Sequence, residues 1–147
     1  MARVDEWPTL KDVRLRALAD SPESFLESLA QGSARDEAGW RATFFDGSWH
    51  VAEVEGRWVG LARTRTYDDA PDEYYLEAFW IDPAHRDKGI GRRLIAHVAR
   101  LAAADGRKRL RLAVLHSNDE RRPIFEQLGF VADGQPTESE QQMVYRL

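Results

Sequence analysis

The chain has 147 residues, with 21 lysines and arginines against 25 aspartates and glutamates, which leaves a formal net charge of −4. The length and a hydrophobic fraction of 43% suit a single domain over residues 1–147 with one sizeable core. The mild acidity argues against broad nucleic-acid binding, which needs a basic face. The absence of cysteine excludes disulfides, thiolate zinc sites and a cysteine nucleophile.

No apolar run reaches the length of about 20 residues that a membrane-spanning helix needs. Residues 1–10 also lack the apolar stretch of a signal peptide. We therefore expect a cytoplasmic protein with no membrane partner. The four histidines are scattered without metal-ligand spacing, so we expect no metal site.

The first third of the chain predicts helices, because its apolar residues recur at helical spacing and prolines stand at candidate helix starts. The predicted stretches are Thr9–Asp20, a helix restarting at Ser21–Ser24 with a buried stripe of Phe25, Leu26 and Leu29, and Ala34–Phe45. Two or three short helices thus precede the first strand.

The pattern then changes to alternating apolar and polar residues, which is typical of strands. Strands are predicted at Trp49–Val54, Trp58–Tyr67 and Tyr74–Ile81, then a helix at Arg92–Asp105, a buried strand at Leu110–Leu115, a short helix from near Arg122 to Leu128, and strands near Phe130 and at Gln142–Leu147. A strand–helix–strand order implies a parallel crossover, so an antiparallel meander followed by this unit predicts a mixed α/β sheet.

The loop between the third strand and the long helix is the most informative segment. Its core, Arg86–Gly91, carries closely spaced glycines at 89 and 91 and leads directly into the helix. Unpaired backbone N–H groups at a helix start bind anions, and glycines let the backbone approach phosphate oxygens. The loop lacks the Gly-Lys-Ser/Thr ending of a nucleotide-triphosphate loop and the third glycine of the dinucleotide fingerprint.

Two motifs carry a family resemblance. Arg-x-x-Gly-x-Gly, following a strand that ends in hydrophobic-x-Pro, resembles the coenzyme A pyrophosphate loop of the GNAT N-acetyltransferase superfamily. Asn118 and the segment Ile124–Phe130 resemble its downstream motif, an asparagine followed by aromatic-Glu-x-x-Gly-Phe. The resemblance covers about residues 50–147. It implies a mixed, mostly antiparallel α/β sheet with a splayed parallel pair at the cofactor site and helices on both faces.

The resemblance also implies acetyl-CoA as co-substrate, with its pantetheine arm between the splayed strands. The implied cofactor-binding residues are Phe79, Ile81, Arg86, Asp87, Lys88, Gly89, Ile90, Gly91, Arg92, Asn118 and Phe125. For Asn118, a role as a helix cap or turn residue is an open alternative.

Glu77 is the candidate general base, because the family often places a carboxylate on this strand. In a regular strand Glu77 would share a face with Tyr75, Phe79 and Ile81. A solvent-facing or salt-bridged glutamate is the alternative interpretation. Phe125 stands where many members carry the tyrosine that protonates the leaving thiolate, so that role is empty or has moved.

The implied function is an N-acetyltransferase that moves the acetyl group of acetyl-CoA directly to a primary amine of a small molecule or peptide. The alternative is a catalytically weak acetyl-CoA-binding regulatory protein that acts through a partner. A homodimer is one arrangement that the resemblance allows. Three further features have open interpretations. The acidic segment, residues 68–73, either attracts a cationic amine or is simply solvated. Trp40, Phe44 and Phe45 belong either to the acceptor pocket or to the core, and His116 is a candidate site residue.

Overall fold

The computed structural model describes residues 1–147 as a six-stranded sheet with helices. The helices are Trp7–Asp20 (α1), Leu29–Ala34 (α2), Glu37–Ala42 (α3), Ile90–Ala104 (α4) and Arg122–Gln127 (α5). The strands are Ser48–Val54 (β1), Arg57–Arg65 (β2), Glu73–Ile81 (β3), Arg109–Leu115 (β4), Val131–Ala132 (β5) and Glu140–Arg146 (β6). The predicted strands and the long helix are confirmed, with ends displaced by one to a few residues.

Helix α1 confirms the first predicted helix and begins at Trp7 rather than Thr9. Pro8 stands in its first turn, where a missing N–H costs no helical hydrogen bond. Its buried apolar residues recur every three or four positions and cover one face of the sheet; they are Leu10, Val13, Ala17 and Leu18.

The helix predicted to restart after α1 is wrong. Pro22–Ser24 forms a single 3-10 turn, and Phe25 is extended with φ −129° and ψ 145°. Leu26 and Leu29 are 85% and 42% exposed, so the predicted buried stripe does not exist. The extended residue takes the chain off the helical path, and a new helix begins only after Ser28, which caps α2.

The helix predicted over Ala34–Phe45 is interrupted at Asp36. The side chain of Asp36 accepts the N–H of Gly39 at 2.8 Å and starts α3 as a separate helix. Trp40 is fully buried in the core, whereas Phe45 is 82% exposed. The core interpretation is therefore confirmed for Trp40 and wrong for Phe45, while Phe44 packs partly buried against the same core.

The sheet has the order β1-β2-β3-β4-β6-β5, and only β3 and β4 run parallel. These two strands pair over Glu73–Tyr75 and Arg109–Arg111 and no further. Since both strands continue beyond the last pair, they separate towards Ile81 and Leu115. The mixed sheet with a splayed parallel pair is thus confirmed.

A bulge in β3 changes the direction of its side chains at Ala78. Ala78 has φ 57°, and the register between β2 and β3 shifts beside it. Phe79 and Ile81 pack in the core that α4 covers, whereas Ala78 packs in the core that α1 covers. Glu77 faces the α1 side as well, where it pairs with Arg63. The expectation that Glu77 shares a face with Phe79 and Ile81 is therefore wrong, because the extra residue of the bulge reverses the alternation.

A histidine pair joins β1 to α4. His50 is buried, its Nε2 lies 2.9 Å from Oγ1 of Thr64, and its Nδ1 has no partner. The ring centroid of His97 is 5.4 Å away. Burial, with a smaller contribution from His97, lowers the pKa of His50 to about 4.

Candidate functional site

The loop before α4 presents unpaired backbone N–H groups. The first hydrogen bond of the helix runs from the N–H of Arg93 to the carbonyl of Gly89, so the preceding amides have no helical acceptor. Asp87 and Gly89 both have left-handed backbone angles, with φ 63° and 78°, which curl the segment into a concave turn. A Cβ placed on Gly89 would meet no atom within 4 Å. The turn is therefore open to an anion.

Gly91 is required for packing rather than for an unusual backbone angle. A Cβ on Gly91 would lie 3.3 Å from Cζ of Phe79 and 3.7 Å from Cγ1 of Ile81. A larger residue would require the ring of Phe79 to shift by a few tenths of an ångström. Gly91 thus allows the first turn of α4 to pack closely against the end of β3.

Positive side chains surround this turn. Lys88, Arg92 and Arg93 are exposed, and none of them forms an ion pair with a carboxylate. Arg92 reaches the carbonyl of Gln127 at 3.5 Å, at the end of α5. These unpaired cations add to the positive end of the helix dipole.

Arg86 differs from these residues, since protein groups already engage its guanidinium. Its Nε donates to the carbonyl of Ile81 at 2.9 Å, and its Nη2 lies 2.6 Å from the carboxylate of Asp20. Burial works against the charged form of Asp20, but hydrogen bonds from Trp80, Ser21 and Arg86 together lower its pKa. Arg86 therefore ties the loop to the end of α1.

A cavity of about 60 Å³ occupies the gap between the splayed strands. The side chains of Leu76, Phe79, Val114, Asn118 and Phe125 are among those that line it. The cavity borders residues 76–79 of β3, and the following residues of this strand lead into the turn before α4. A narrow, mostly apolar slot of this kind suits an extended chain that carries a few polar groups.

Asn118 supplies the polar group of this slot. Its side chain is buried, and its Oδ1 has no hydrogen-bond partner. Its backbone angles, φ −125° and ψ 27°, interrupt the 3-10 turn His116–Arg121, so it caps no regular helix. A buried carbonyl oxygen without a donor is costly, and an amide N–H in the slot would satisfy it. The residue therefore fits the amide of a pantetheine arm.

Phe125 closes the slot from α5. Its ring packs against Phe79, with 5.8 Å between ring centroids, and against Phe130 at 6.1 Å. Pro123 stands in the first turn of α5, which confirms the helix start predicted near Arg122. The side chain of Phe125 offers apolar surface to the slot and has no proton to donate.

A larger cavity of about 360 Å³ opens on the α1 side of the same gap. The two cavities share lining residues from the segment after α1 and from both splayed strands: Ser24, Phe25, Leu76, Glu77, Ala78, Leu112, Ala113 and Leu115. Its remaining wall is rich in charged groups: Arg14, Glu27, Arg35, Arg63 and Glu140. The bulge at Ala78 thus marks the place where the two cavities meet.

Glu77 enters the larger cavity as an ion-paired residue. Its carboxylate lies 3.1 Å from Nη1 of Arg63 and 4.0 Å from Nη1 of Arg65. Arg63 stacks over Trp49 at 5.3 Å and is therefore held in place. The salt bridge that the alternative interpretation expected is present, and the side chain of Glu77 is still 41% exposed where it lines the cavity.

The acetyltransferase (GNAT) family model matches residues 14–130. The chain belongs to this family. The thialysine N-epsilon-acetyltransferase of Bos taurus is 40% identical over 55 residues, which cover 37% of this chain and 32% of that protein. The 5-NmdU N-acetyltransferase of Pseudomonas phage PaMx11 is 33% identical over 94 residues, 64% of each chain. The chain thus spans less than two thirds of either relative.

A solved structure shares the whole GNAT fold with this chain. The PaiA N-acetyltransferase from Thermoplasma acidophilum, determined in complex with coenzyme A, superposes with a TM-score of 0.80. The match covers 99% of this chain and 96% of that protein at 14% identity. The splayed strands and the loop before α4 therefore belong to a GNAT architecture.

Other residues singled out in the sequence lie outside the two GNAT cavities. Glu73 is held by Arg111 at 3.0 Å, and hydrogen bonding to Arg111, helped by Arg109, lowers the pKa of Glu73 despite its burial. Asp72 lies 3.8 Å from Lys108. The acidic segment 68–73 does not line the larger cavity, so its acceptor role is not supported.

His116 also lies apart from the cavities. Its Nε2 is 2.7 Å from the carbonyl of Thr137, and it lines neither the slot nor the larger cavity. No group of three or more histidines, aspartates and glutamates is arranged to hold a metal ion. None of the helices has the length and apolar character to cross a membrane.

The sequence interpretation missed the charged wall of the larger cavity. Arg14 carried a signal, since it stands on the apolar stripe of α1 one residue after Val13 and three before Ala17. Arg63 and Glu140 gave none, because a strand alternates polar and apolar residues whether or not the polar face borders a cavity.

Proposed function

We propose that this protein is an acetyl-CoA-dependent N-acetyltransferase that moves the acetyl group directly to a primary amine of a small molecule or peptide. One observation carries the proposal: the slot and the larger cavity share Glu77 and Ala78 on β3, and the end of the same strand leads into the open turn before α4. A donor held in the turn and slot would meet an acceptor from the opposite side of the sheet.

The donor would be held mainly by backbone groups. The amides of residues 87–92 would receive the pyrophosphate, and the exposed Lys88 and Arg92 would balance its charge. Backbone groups of Phe79 and Ile81 would pair with the pantetheine arm, and Asn118 would accept from one of its amides. Phe125 would cover the arm with apolar surface. In this proposal Arg86 acts by anchoring the loop through Asp20.

Transfer then requires no covalent intermediate on the protein, which has no cysteine. The neutral amine attacks the thioester carbonyl, a C–N bond forms, the C–S bond breaks and coenzyme A leaves as a thiolate. The proton lost by the amine passes to Glu77, directly or through water. Phe125 has no proton to donate, so water protonates the thiolate, which is weakly basic for a leaving group.

The relatives agree with amine acetylation, since both curated proteins are named as N-acetyltransferases. Their named acceptors differ, and neither is carried over to this chain. The larger cavity, about 360 Å³, lies at the small end of the range usual for ligand sites, about 300–1,000 Å³. An acceptor of modest size, or the end of a peptide, would fill it.

Thiol release with acetyl-CoA and a panel of primary amines tests the proposal, with mass spectrometry of the product. We expect coenzyme A and acetylated amine in equal amounts, at a rate well above hydrolysis. Calorimetry with coenzyme A alone measures the donor site independently. Binding of acetyl-CoA without release on any amine would contradict transferase activity and favour a regulatory protein.

A further inference from the structure

The larger cavity contains one cation whose hydrogen bonds are incomplete. Arg14 is 9% exposed, and its Nε and Nη2 donate to the same oxygen of Glu27 at 3.2 and 3.0 Å. Its other terminal nitrogen, Nη1, is buried without a partner. The guanidinium also stacks over Phe25 at 4.5 Å, which fixes its orientation. Burial lowers the pKa of Arg14, although Glu27 opposes this effect.

The neighbouring charges do not neutralise Arg14. Glu27 also forms an ion pair with Arg35, so this single carboxylate is shared between two guanidinium groups. The cluster therefore keeps an excess of one positive charge. Ser24, which lines the same cavity, has a buried hydroxyl without a hydrogen-bond partner. A charged donor and a hydroxyl among the lining residues of this cavity are thus left without acceptors.

Arg63, the third guanidinium of this wall, is already occupied. Its Nη1 donates to Glu77 at 3.1 Å, and its Nη2 donates to the carbonyl of Thr43 at 2.7 Å and to Asp46. Both terminal nitrogens are therefore committed. Arg14 is the guanidinium with a buried terminal nitrogen to offer to a ligand.

Elsewhere on the wall, a carboxylate lacks a cation. Glu27 and Glu77 are ion-paired, whereas Glu140 forms no ion pair and only accepts from Nε2 of Gln142 at 3.1 Å. The cavity thus holds an unmatched positive group and an unmatched negative group. The wall carries three guanidinium groups and three carboxylates, so the single positive charge left unmatched at Arg14 suits an anion with one negative charge.

We propose that the acceptor is an amino carboxylate, a primary amine that also carries one carboxylate group. This inference rests on the proposed acetyltransferase function. The carboxylate binds Nη1 of Arg14 and the hydroxyl of Ser24, and the ammonium group enters beside Glu140. Charge-assisted hydrogen bonds to a desolvated guanidinium are strong and selective, so the carboxylate sets both affinity and orientation. The ammonium group gives one proton to water, and the neutral amine then reaches the junction of the two cavities at Glu77.

Calorimetry with matched acid and amide pairs tests the acceptor class. The protein is first saturated with coenzyme A, and then glycine and glycinamide, β-alanine and β-alaninamide, and 5-aminopentanoate and its amide are titrated in turn. We expect at least one acid to bind about tenfold or more tightly than its amide. Arg14→Gln should abolish this preference and Ser24→Ala should reduce it.

Arg41→Gln is the matched control, because Arg41 also loses one ion pair, at 3.0 Å to Glu37, but on an exposed helix surface. Arg14→Lys keeps the charge beside Glu27 and serves if the glutamine variant does not fold. Equal or absent binding of acid and amide in every pair, or a preference that survives Arg14→Gln and Ser24→Ala, would overturn the inference. If the unmodified protein does not bind coenzyme A when it is first titrated, the proposed donor site is contradicted instead.

Discussion

Replacement of Asn118 by leucine separates stability from cofactor binding. Asn118 is buried, and its amide oxygen has no partner in the protein alone. Leucine keeps the branching of asparagine at Cγ and has no polar group to desolvate. Because an apolar replacement of an unsatisfied polar group is nearly neutral or stabilising, we expect the free energy of unfolding to stay the same or to rise. Coenzyme A should bind less tightly, because the pantetheine amide loses its acceptor.

The size of the binding effect follows from the hydrogen bond that is lost. A net value of about 0.5–1.5 kcal/mol corresponds to a dissociation constant about two- to twelvefold higher. At a coenzyme A concentration of about 100 times the wild-type Kd, the ligand stabilises the wild type by about 2.7 kcal/mol and a tenfold weaker variant by about 1.4 kcal/mol. For a domain of this size, the thermal shift should be smaller by roughly 3–5 °C.

Thermal unfolding with and without coenzyme A, together with calorimetry, measures both effects. Ser117→Ala is the control, since the hydroxyl of Ser117 donates to the carbonyl of Glu23 at 2.9 Å, outside the slot. We expect Ser117→Ala to lose stability and keep its affinity, the opposite pattern. Wild-type affinity in Asn118→Leu, with a loss of stability, would show that the side chain is structural and does not bind the donor.

Further predictions concern the turn, the base and acid stability. Gly89→Ala strains a left-handed residue in the turn before α4 and should raise KM for acetyl-CoA severalfold. Gly56→Ala, at φ 80° in a remote and equally open turn, should only lower stability by about 1 kcal/mol. Equal KM values in the two variants would refute the proposed pyrophosphate site. Glu77→Gln should lower kcat and flatten the pH–rate profile while coenzyme A affinity stays unchanged. Replacement of the exposed Glu53 by glutamine should change neither kcat nor the profile. An unchanged profile in Glu77→Gln would remove Glu77 from the mechanism. The pKa of His50 is lowered to about 4, below the usual 6.5, so between these values the unfolded chain binds a proton that the native state does not bind. The free energy of unfolding is therefore highest above that usual value and should fall by about 2 kcal/mol between about pH 7 and about pH 5, as measured by urea titration. His50→Gln should remove this pH dependence. The same fall in the variant would show that His50 does not cause it.

The long-range pattern of the fold was predictable from local signals. The amphipathic stripe of α4, the glycines before it and the order of strands indicated the sheet, the crossover and the phosphate turn. The N-terminal helices were less predictable. The sequence Ser21-Pro22 has the composition of a helix start, yet extended Phe25 ends the turn, and Leu26 is exposed although it is apolar.

The candidate site was predictable only where one segment forms it. The anion-binding turn is such a segment, and the position of Pro123 at the start of α5 also follows from local backbone chemistry. The direction of Glu77 was not predictable, because it depends on a bulge at Ala78, an alanine with a left-handed backbone that no composition rule favours. Arg86 likewise finds Asp20, which lies 66 positions earlier in the chain.

The sequence by itself indicated the family, the mixed sheet with its splayed parallel pair and the glycine-rich turn before α4, because glycines and a helix start act through neighbouring backbone atoms. Only the tertiary structure decided which face Glu77 occupies, left the oxygen of Asn118 without a donor, and brought Arg14, Ser24 and Glu140 to one cavity. Those properties arise from burial and from contacts between distant segments, which a linear pattern of residues does not specify.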